Sequence, residues 1–365
     1  MNDFDVPQTM SAVQLIGHGG FDQLQFSTQV PVPQPGPGEV LIKVGAAGIN
    51  NTDINTRIGW YSKSVSGDTE SGGAQGFGDD NVDDDGSWSG VPLTFPRIQG
   101  ADVCGQVVAV GDGVSPTRVG ERVLCATILA RSTDDNPVAC WTRGSECDGG
   151  FAQYCVSRAD EALKIDCDWT DVELASLPCA YSTAENMLHR AQLKSGERVL
   201  ITGASGGVGS AAIQLAKRRG AHVIALTSAA KADLVREIGA DQLLDRDADI
   251  VAALGANSVD MVVDLVAGDG WPSLLEVLRP GGRYAVAGAI AGPMVQLDVR
   301  TLYLKDLSFF GSTYQPPQVF ADLVGYVERG EIKPVVSKSY PLKQIAQAQE
   351  DFLSKKYFGK LVLVP

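Results

Sequence analysis

Histidine is scarce: the 365 residues hold three, at 18, 189 and 222. None has a partner at ligand spacing, so neither a histidine-based metal site nor a Ser-His-Asp triad can be built from them. No two cysteines form a C-x-x-C pair. The seven, at 104, 125, 140, 147, 155, 167 and 179, are scattered and odd in number, which argues against a disulfide framework and predicts reduced thiols in a cytoplasmic chain. No apolar run approaches the ~18 residues that cross a bilayer, and Met1-Asn2-Asp3-Phe4-Asp5 lacks the basic start of a signal peptide. Positive charge is in deficit, with 30 Lys and Arg against 44 Asp and Glu and a net charge of −14. Such a surface repels phosphate backbones and anionic lipids, so nucleic-acid and membrane roles are disfavoured.

What is present has two textures. From about residue 10 to 165, short β-rich runs such as Val40–Val44, Gly105–Val110 and Arg122–Cys125 are punctuated by Gly and Pro. The proline-rich stretch Pro31–Pro37 reads as a loop. Evenly spaced short strands predict a barrel or sandwich. From about residue 171, strands alternate with amphipathic helices: Arg198–Thr202, Gly207–Arg219, His222–Thr227, Lys231–Ile238, Met261–Leu265, Ser273–Leu278 and Arg283–Ala287. That alternation predicts βαβ units and a parallel sheet covered on both faces. The apolar run Leu302–Phe310 reads as an edge strand able to pair across a two-fold axis, hence a homodimer. Helices Val319–Arg329 and Ile345–Leu353 then precede a last strand, Gly359–Val364.

Ser62–Gly90 fits neither texture. Its seven acids (Asp68, Glu70, Asp79, Asp80, Asp83, Asp84, Asp85) and many glycines predict a long, solvated loop that buries little apolar area. Asn81–Ser87 resembles the first half of a calcium loop, but Pro92 stands where the closing Glu belongs, so a solvated lid is the expectation.

The sharpest local signal is Thr202-Gly203-Ala204-Ser205-Gly206-Gly207-Val208-Gly209, between a predicted strand and a predicted helix. Its glycines permit a tight turn, and free N–H groups at the helix start suit a pyrophosphate. Ala204 takes the place of the first glycine of G-x-G-x-x-G. Cofactor choice falls to the second strand, where an acid would bind the ribose of NAD. Here Thr227, Ser228 and Lys231 follow instead, which suits the 2′-phosphate of NADPH.

These features, with Gly48–Asp53, Gly100–Gly105, Gly149–Tyr154, Leu278–Arg283 and Gly359–Val362, resemble the medium-chain dehydrogenase/reductase superfamily. Within it, the chain is similar to the zinc-independent quinone oxidoreductase branch. The resemblance implies an α/β and β architecture: a GroES-like β-barrel catalytic domain over residues 1–164, with 313–365 returning to it, and a doubly wound Rossmann NADPH-binding domain over 165–312. The active site is expected in the cleft between the two domains.

Zinc-dependent relatives read G-x-C-H-T-D and G-H-E where this chain has Asn50, Ala101 and Asp102. The family's third ligand position keeps a cysteine, Cys179, which alone cannot make a catalytic zinc site; it reads as a small buried residue. No metal is expected. Without a Lewis acid, reduction of a conjugated carbonyl is easier than alcohol oxidation, because a hydrogen-bond donor suffices for the enolate oxygen. The run Asn50–Tyr61 resembles the N-x-S-D-I-N-x-x-x-G-x-Y segment of enoyl thioester reductases and its quinone reductase form. On that resemblance Asn50, Asp53 and Tyr61 are the catalytic set, with Asn50 also beside the nicotinamide. Cofactor contacts fall to Thr183, Ser205, Gly206, Gly207, Val208, Thr227, Ser228, Lys231 and Lys360. From the residues alone, Tyr61 could equally be an aromatic plug and Asn50 a turn-stabilising residue. Ser182–Glu185 reads as a capping box that starts a helix.

The expected function is NADPH-dependent hydride transfer to a quinone, enone or other activated alkene, a small carbonyl-conjugated molecule. Alternatives are a zinc-free alcohol or aldehyde reductase, an enoyl thioester reductase, and a non-catalytic NADPH-binding protein of the crystallin type.

Overall fold

The computed structural model describes residues 5–77 and 85–365. Asn81–Asp84, most of the calcium-like run, lie outside the described residues. The chain divides into two compact units: the described residues of Met1–Val65, Gly72–Cys179 and Pro316–Pro365, and those of Ser66–Ser71 and Ala180–Gln315.

In the first unit, β1 (Thr9–Leu15) and β2 (Leu24–Pro31) form an antiparallel hairpin. β3 (Glu39–Gly48) is the central strand, buried at most positions, as its Val-Leu-Ile run requires. It runs into helix α1 (Asn51–Ile58). β4 (Arg97–Ile98) extends the first sheet beside β1. β5 (Val103–Val110) pairs antiparallel with β3 and β6 (Arg122–Cys125). β7 (Ile128–Ala130) and β8 (Cys140–Thr142) form a small hairpin. β9 (Tyr154–Arg158) pairs with β3, and β10 (Ala162–Lys164) with β6. The core joins Val40, Leu41, Ile42, Val103, Val107, Val123 and Phe151.

Helix α2 (Pro178–Arg190) starts four residues before the predicted Ser182 cap. Proline is at home in the first helical position, so Ser182 and Thr183 sit inside the helix. Glu185 is therefore free to pair with Arg219 instead of capping.

The second unit is built on β11 (Arg198–Ile201), helix α3 (Gly207–Arg218), β12 (His222–Thr227), β13 (Gln242–Asp245), β14 (Val259–Asp264), β15 (Leu278–Val286) and β16 (Ser308–Gly311). The order β13-β12-β11-β14-β15-β16, parallel throughout, is the doubly wound nucleotide-binding arrangement. Val199, Leu200 and Ile201 are wholly buried, as expected of a strand covered on both faces. The predicted edge strand Leu302–Phe310 is corrected: Val299–Leu304 is a helix, and only Ser308–Gly311 forms the edge strand. An apolar run carries no period that separates the two.

β17 (Val336–Pro341) and β18 (Lys360–Val364) return to the first unit, where β18 pairs antiparallel with the end of β3. The second sheet thus reads β10-β6-β5-β3-β18-β17, with β9 also on β3. This pairing brings the first residue of β18, Lys360, beside the residues that follow β3.

The described arms of the 62–90 segment are more tightly held than a solvated loop. Thr69–Gly72 forms one helical turn; Ser62, Val65, Thr69 and Ser87 are buried. Arg57, fully buried, donates to the carbonyls of Gly19 (2.7 Å) and Gly73 (2.5 Å) and to Gln349 Oε1 (2.8 Å).

Candidate active site

Four polar side chains meet where β3 gives way to α1. Asn50, Asp53, Asp102 and Lys360 are each at most 6% exposed. The Lys360 ammonium donates to Asn50 Oδ1 and to Asp102 Oδ2, the latter at 2.8 Å. Asn50 Nδ2 donates to the same Asp102 oxygen at 2.8 Å. The other Asp102 oxygen accepts the Cys179 N–H at 2.6 Å. Asp53 takes the Asn50 N–H (2.8 Å), one arm of a capping box, and the Ala101 N–H (3.2 Å). A Cβ at Gly48 would run into the Asp102 carboxylate and the Ala175 carbonyl, so this close approach needs glycine.

Asp102 is the hub, and its importance was not legible in the sequence. Lys360 and Asn50 are 310 positions apart, and only the β18–β3 pairing brings them together. Cys179, expected to be buried, is half-buried.

Burial pushes the Asp53 carboxyl up to about 7, with the neighbouring Asp102 adding to the rise while the Asn50 N–H and Lys360 oppose it. A carboxyl whose native pKa is raised stabilises the fold below its unfolded value and loses that contribution as pH climbs. Asp53 therefore contributes fully below 3.8, and its contribution fades up to about pH 7. Urea midpoints measured across this range should fall less steeply in Asp53→Asn than in the unsubstituted protein; parallel profiles would contradict the assignment.

Tyr61 follows the left-handed Gly59 that ends α1. Its hydroxyl donates to Thr52 Oγ1 at 3.0 Å, and burial raises its pKa well above the usual tyrosine value, with Cys179 and Asp53 adding to the rise. The hydroxyl is thus held protonated beside the Asn50–Asp53 cluster. Its ring stands edge-on to Trp60 (5.7 Å) and Trp88 (4.7 Å).

In the second unit the glycine-rich turn leads from β11 into α3. A Cβ at Gly209 would strike the Gly203 carbonyl and Ala204 Cα, while Gly206 is exposed. Ser205, Gly207 and Val208 are half-buried, and the first N–H groups of α3 have no intrahelical acceptor. Thr202 Oγ1 donates to the buried Asp264 (2.6 Å), which also accepts from Tyr284 (2.6 Å), fixing the neighbouring strand ends. At the tip of β12, the buried Thr227 Oγ1 has no hydrogen-bond partner among the described residues. Ser228 and Lys231 are half-buried beside it. Burial, then the charge of Arg246, lowers the Lys231 pKa. Arg246, whose N–H donates to the Thr227 carbonyl (3.1 Å), is a second cation that sequence reading missed. An orphaned hydroxyl, free helix N–H groups and two mutually repelling cations fit a phosphorylated dinucleotide. Thr183 is half-buried on α2, whose Tyr181 accepts from Gln214 of α3 (3.0 Å).

Two family models match the chain: the alcohol dehydrogenase GroES-like domain over residues 36–167 and the zinc-binding dehydrogenase domain over 207–329. A solved structure from Sinorhizobium meliloti 1021, described as a candidate alcohol dehydrogenase, is 45% identical, with a TM-score of 0.87 over 99% of this chain and 98% of that one. The quinone oxidoreductase of Rattus norvegicus is 28% identical over 97% of this chain and 98% of its own. A 2-octenoyl-CoA carboxylase reductase, solved with NADP and 2-octenoyl-CoA, is 25% identical, with a TM-score of 0.81 over 98% of this chain and 88% of that one. The chain belongs to the medium-chain dehydrogenase/reductase superfamily, in its quinone oxidoreductase-like branch. It is an oxidoreductase of a nicotinamide-dependent family, acting on a small molecule.

The zinc in one model's description does not fit these residues. Where zinc relatives carry Cys and His, this chain has Asn50 and Ala101, and the Lys360 ammonium lies within hydrogen-bond reach of Asn50 and Asp102. A divalent cation there would meet a buried positive charge and too few donors. Among the described residues, no group of three or more His, Cys, Asp or Glu could hold a metal ion, and no helix is long and apolar enough to cross a membrane.

Proposed function

We propose that the protein is an NADPH-dependent reductase of conjugated carbonyl compounds, quinones or enones, that works without zinc. The observation that carries this reading is the buried Lys360–Asp102–Asn50 network at the position of the zinc ligands. Alcohol oxidation would there lack its usual alkoxide stabiliser. A conjugated carbonyl needs only hydride at its β-carbon and a donor at its oxygen. The 2-octenoyl-CoA of one relative is a conjugated carbonyl substrate, and the rat relative is a quinone oxidoreductase, both in keeping with this chemistry.

When bound, the reduced nicotinamide supplies the hydride. The residues of the chain bind and orient the two reactants, and solvent delivers the proton that completes the product. Ser205, Gly206, Gly207 and Val208 hold the pyrophosphate at the start of α3, and Thr227 and Ser228 take the ribose. Lys231, with Arg246, receives the 2′-phosphate, and Thr183 the carboxamide. Asn50 is fixed in one orientation between Lys360 and Asp102. Tyr61 turns its hydroxyl from Thr52 to the substrate oxygen. Held protonated by burial, it serves as the hydrogen-bond donor to that oxygen.

Lys231→Ala should raise the dissociation constant for NADPH about tenfold, about 1.4 kcal/mol, and leave that for NADH nearly unchanged. Equal losses for both cofactors, read by fluorescence titration, would remove the 2′-phosphate role. The reductase reading itself is tested by NADPH absorbance with a panel of quinones, enones, enoyl thioesters and aldehydes. Turnover of aldehydes alone would overturn it.

A further inference from the structure

Trp88, from the far arm of the 62–90 segment, lies 4.7 Å from Tyr61 at an interplanar angle of 68°, and Trp60 stands on Tyr61 at 5.7 Å and 77°. All three residues are half-buried, so none is sealed in the core.

The backbone under Trp88 is fixed from several sides. The Gly90 N–H donates to the Ser87 carbonyl (3.1 Å) and the Val91 N–H to Ser87 Oγ (3.2 Å), which closes a tight turn. The Ser89 N–H donates to Glu146 Oε1 (2.9 Å), and Glu146 Oε2 accepts the Thr142 N–H (2.8 Å). At the base of the segment the Lys63 N–H donates to Asp85 Oδ2 (3.0 Å). Trp88 is therefore a placed side chain on a braced turn. Nothing in the Asn50–Asp53 chemistry requires an indole there.

We propose that Trp88 is a specificity-determining residue which, with Trp60 and Tyr61, forms a wall for the flat, uncharged ring of a conjugated substrate. The inference rests on the reading of Tyr61 as the donor to the substrate oxygen. A ring presented to Tyr61 meets aromatic edges and faces, the geometry in which aromatic pairs attract. An acyclic enone offers no such surface. A coenzyme A thioester brings several phosphate charges toward the turn that carries Asp85, whose carboxylate repels them. The wall thus selects quinones and aryl enones from the conjugated carbonyls that the donor alone would accept.

The experiment compares kcat/KM for 1,4-naphthoquinone and for methyl vinyl ketone in the full-length protein, Trp88→Leu and Trp88→Phe. The ratio of the two should fall about tenfold or more in Trp88→Leu and return most of the way in Trp88→Phe, which keeps an aromatic face. NADPH titration of each variant checks that the nucleotide-binding unit is intact. If Trp88→Leu does not fold, Trp60→Leu, which removes a second face of the same wall, must lower the ratio in the same direction, and an unchanged ratio there overturns the wall. An unchanged ratio in a folded Trp88→Leu overturns the wall and leaves the reductase reading standing. An unsubstituted protein that consumes NADPH with neither compound overturns both.

Discussion

Replacing Lys360 with methionine should destabilise the first unit by about 3–5 kcal/mol, the cost of leaving a buried charge without its partner. Asp102 is wholly buried, and of its donors among the described residues only Lys360 carries a charge. Without the ammonium, the carboxylate keeps the Cys179 N–H and the Asn50 amide, two neutral donors for a full charge. The double variant Lys360→Met, Asp102→Asn should recover most of the loss, because removing both charges also removes the desolvation penalty. Urea unfolding of the four proteins gives the coupling. If the single and double variants are equally destabilised, Lys360 acts through packing and the ion pair is incidental.

Tyr61→Phe is expected to lower kcat for quinones about 10²–10³-fold, the usual consequence of deleting one donor to a developing oxyanion. Stability should fall by about 1 kcal/mol, the usual net contribution of one hydrogen bond, here the one donated to Thr52. NADPH affinity should be unaffected. With its pKa strongly raised by burial, this hydroxyl should leave no alkaline limb in kcat across the accessible range; a limb that disappears in Tyr61→Phe would contradict that assignment. A Tyr61→Phe variant with unchanged kcat would make Tyr61 the aromatic plug that its neighbours Trp60 and Trp88 also allow.

Much of the Rossmann unit was legible, because its strands are continuous apolar runs set off by glycine. His222–Thr227 appears with the bounds its sequence predicts, and so does the helix Ile345–Leu353 in the returning segment. Where burial is only partial the signal failed. Gln242–Asp245 is intermediate or exposed along its length, and the β1–β2 hairpin buries few residues of its second strand. In both, polar residues break the run that marks a strand. The site divides in the same way. Asn50, Asp53 and Lys360 could be named from motifs, but Asp102, which ties Asn50 to Lys360, does so through burial and strand pairing that no local pattern records. Arg246 escaped notice because it follows a strand that was itself missed.

The central claim is a conjugated-carbonyl reductase whose active centre is organised by an ammonium and not by zinc. The most direct measurement is NADPH consumption with 1,4-naphthoquinone by protein whose zinc content has been determined by elemental analysis. The account predicts turnover by a protein with far less than one zinc per chain, at a rate that prolonged treatment with a chelator leaves unchanged. One tightly held zinc per chain, with activity lost on its removal and restored on its return, would contradict it.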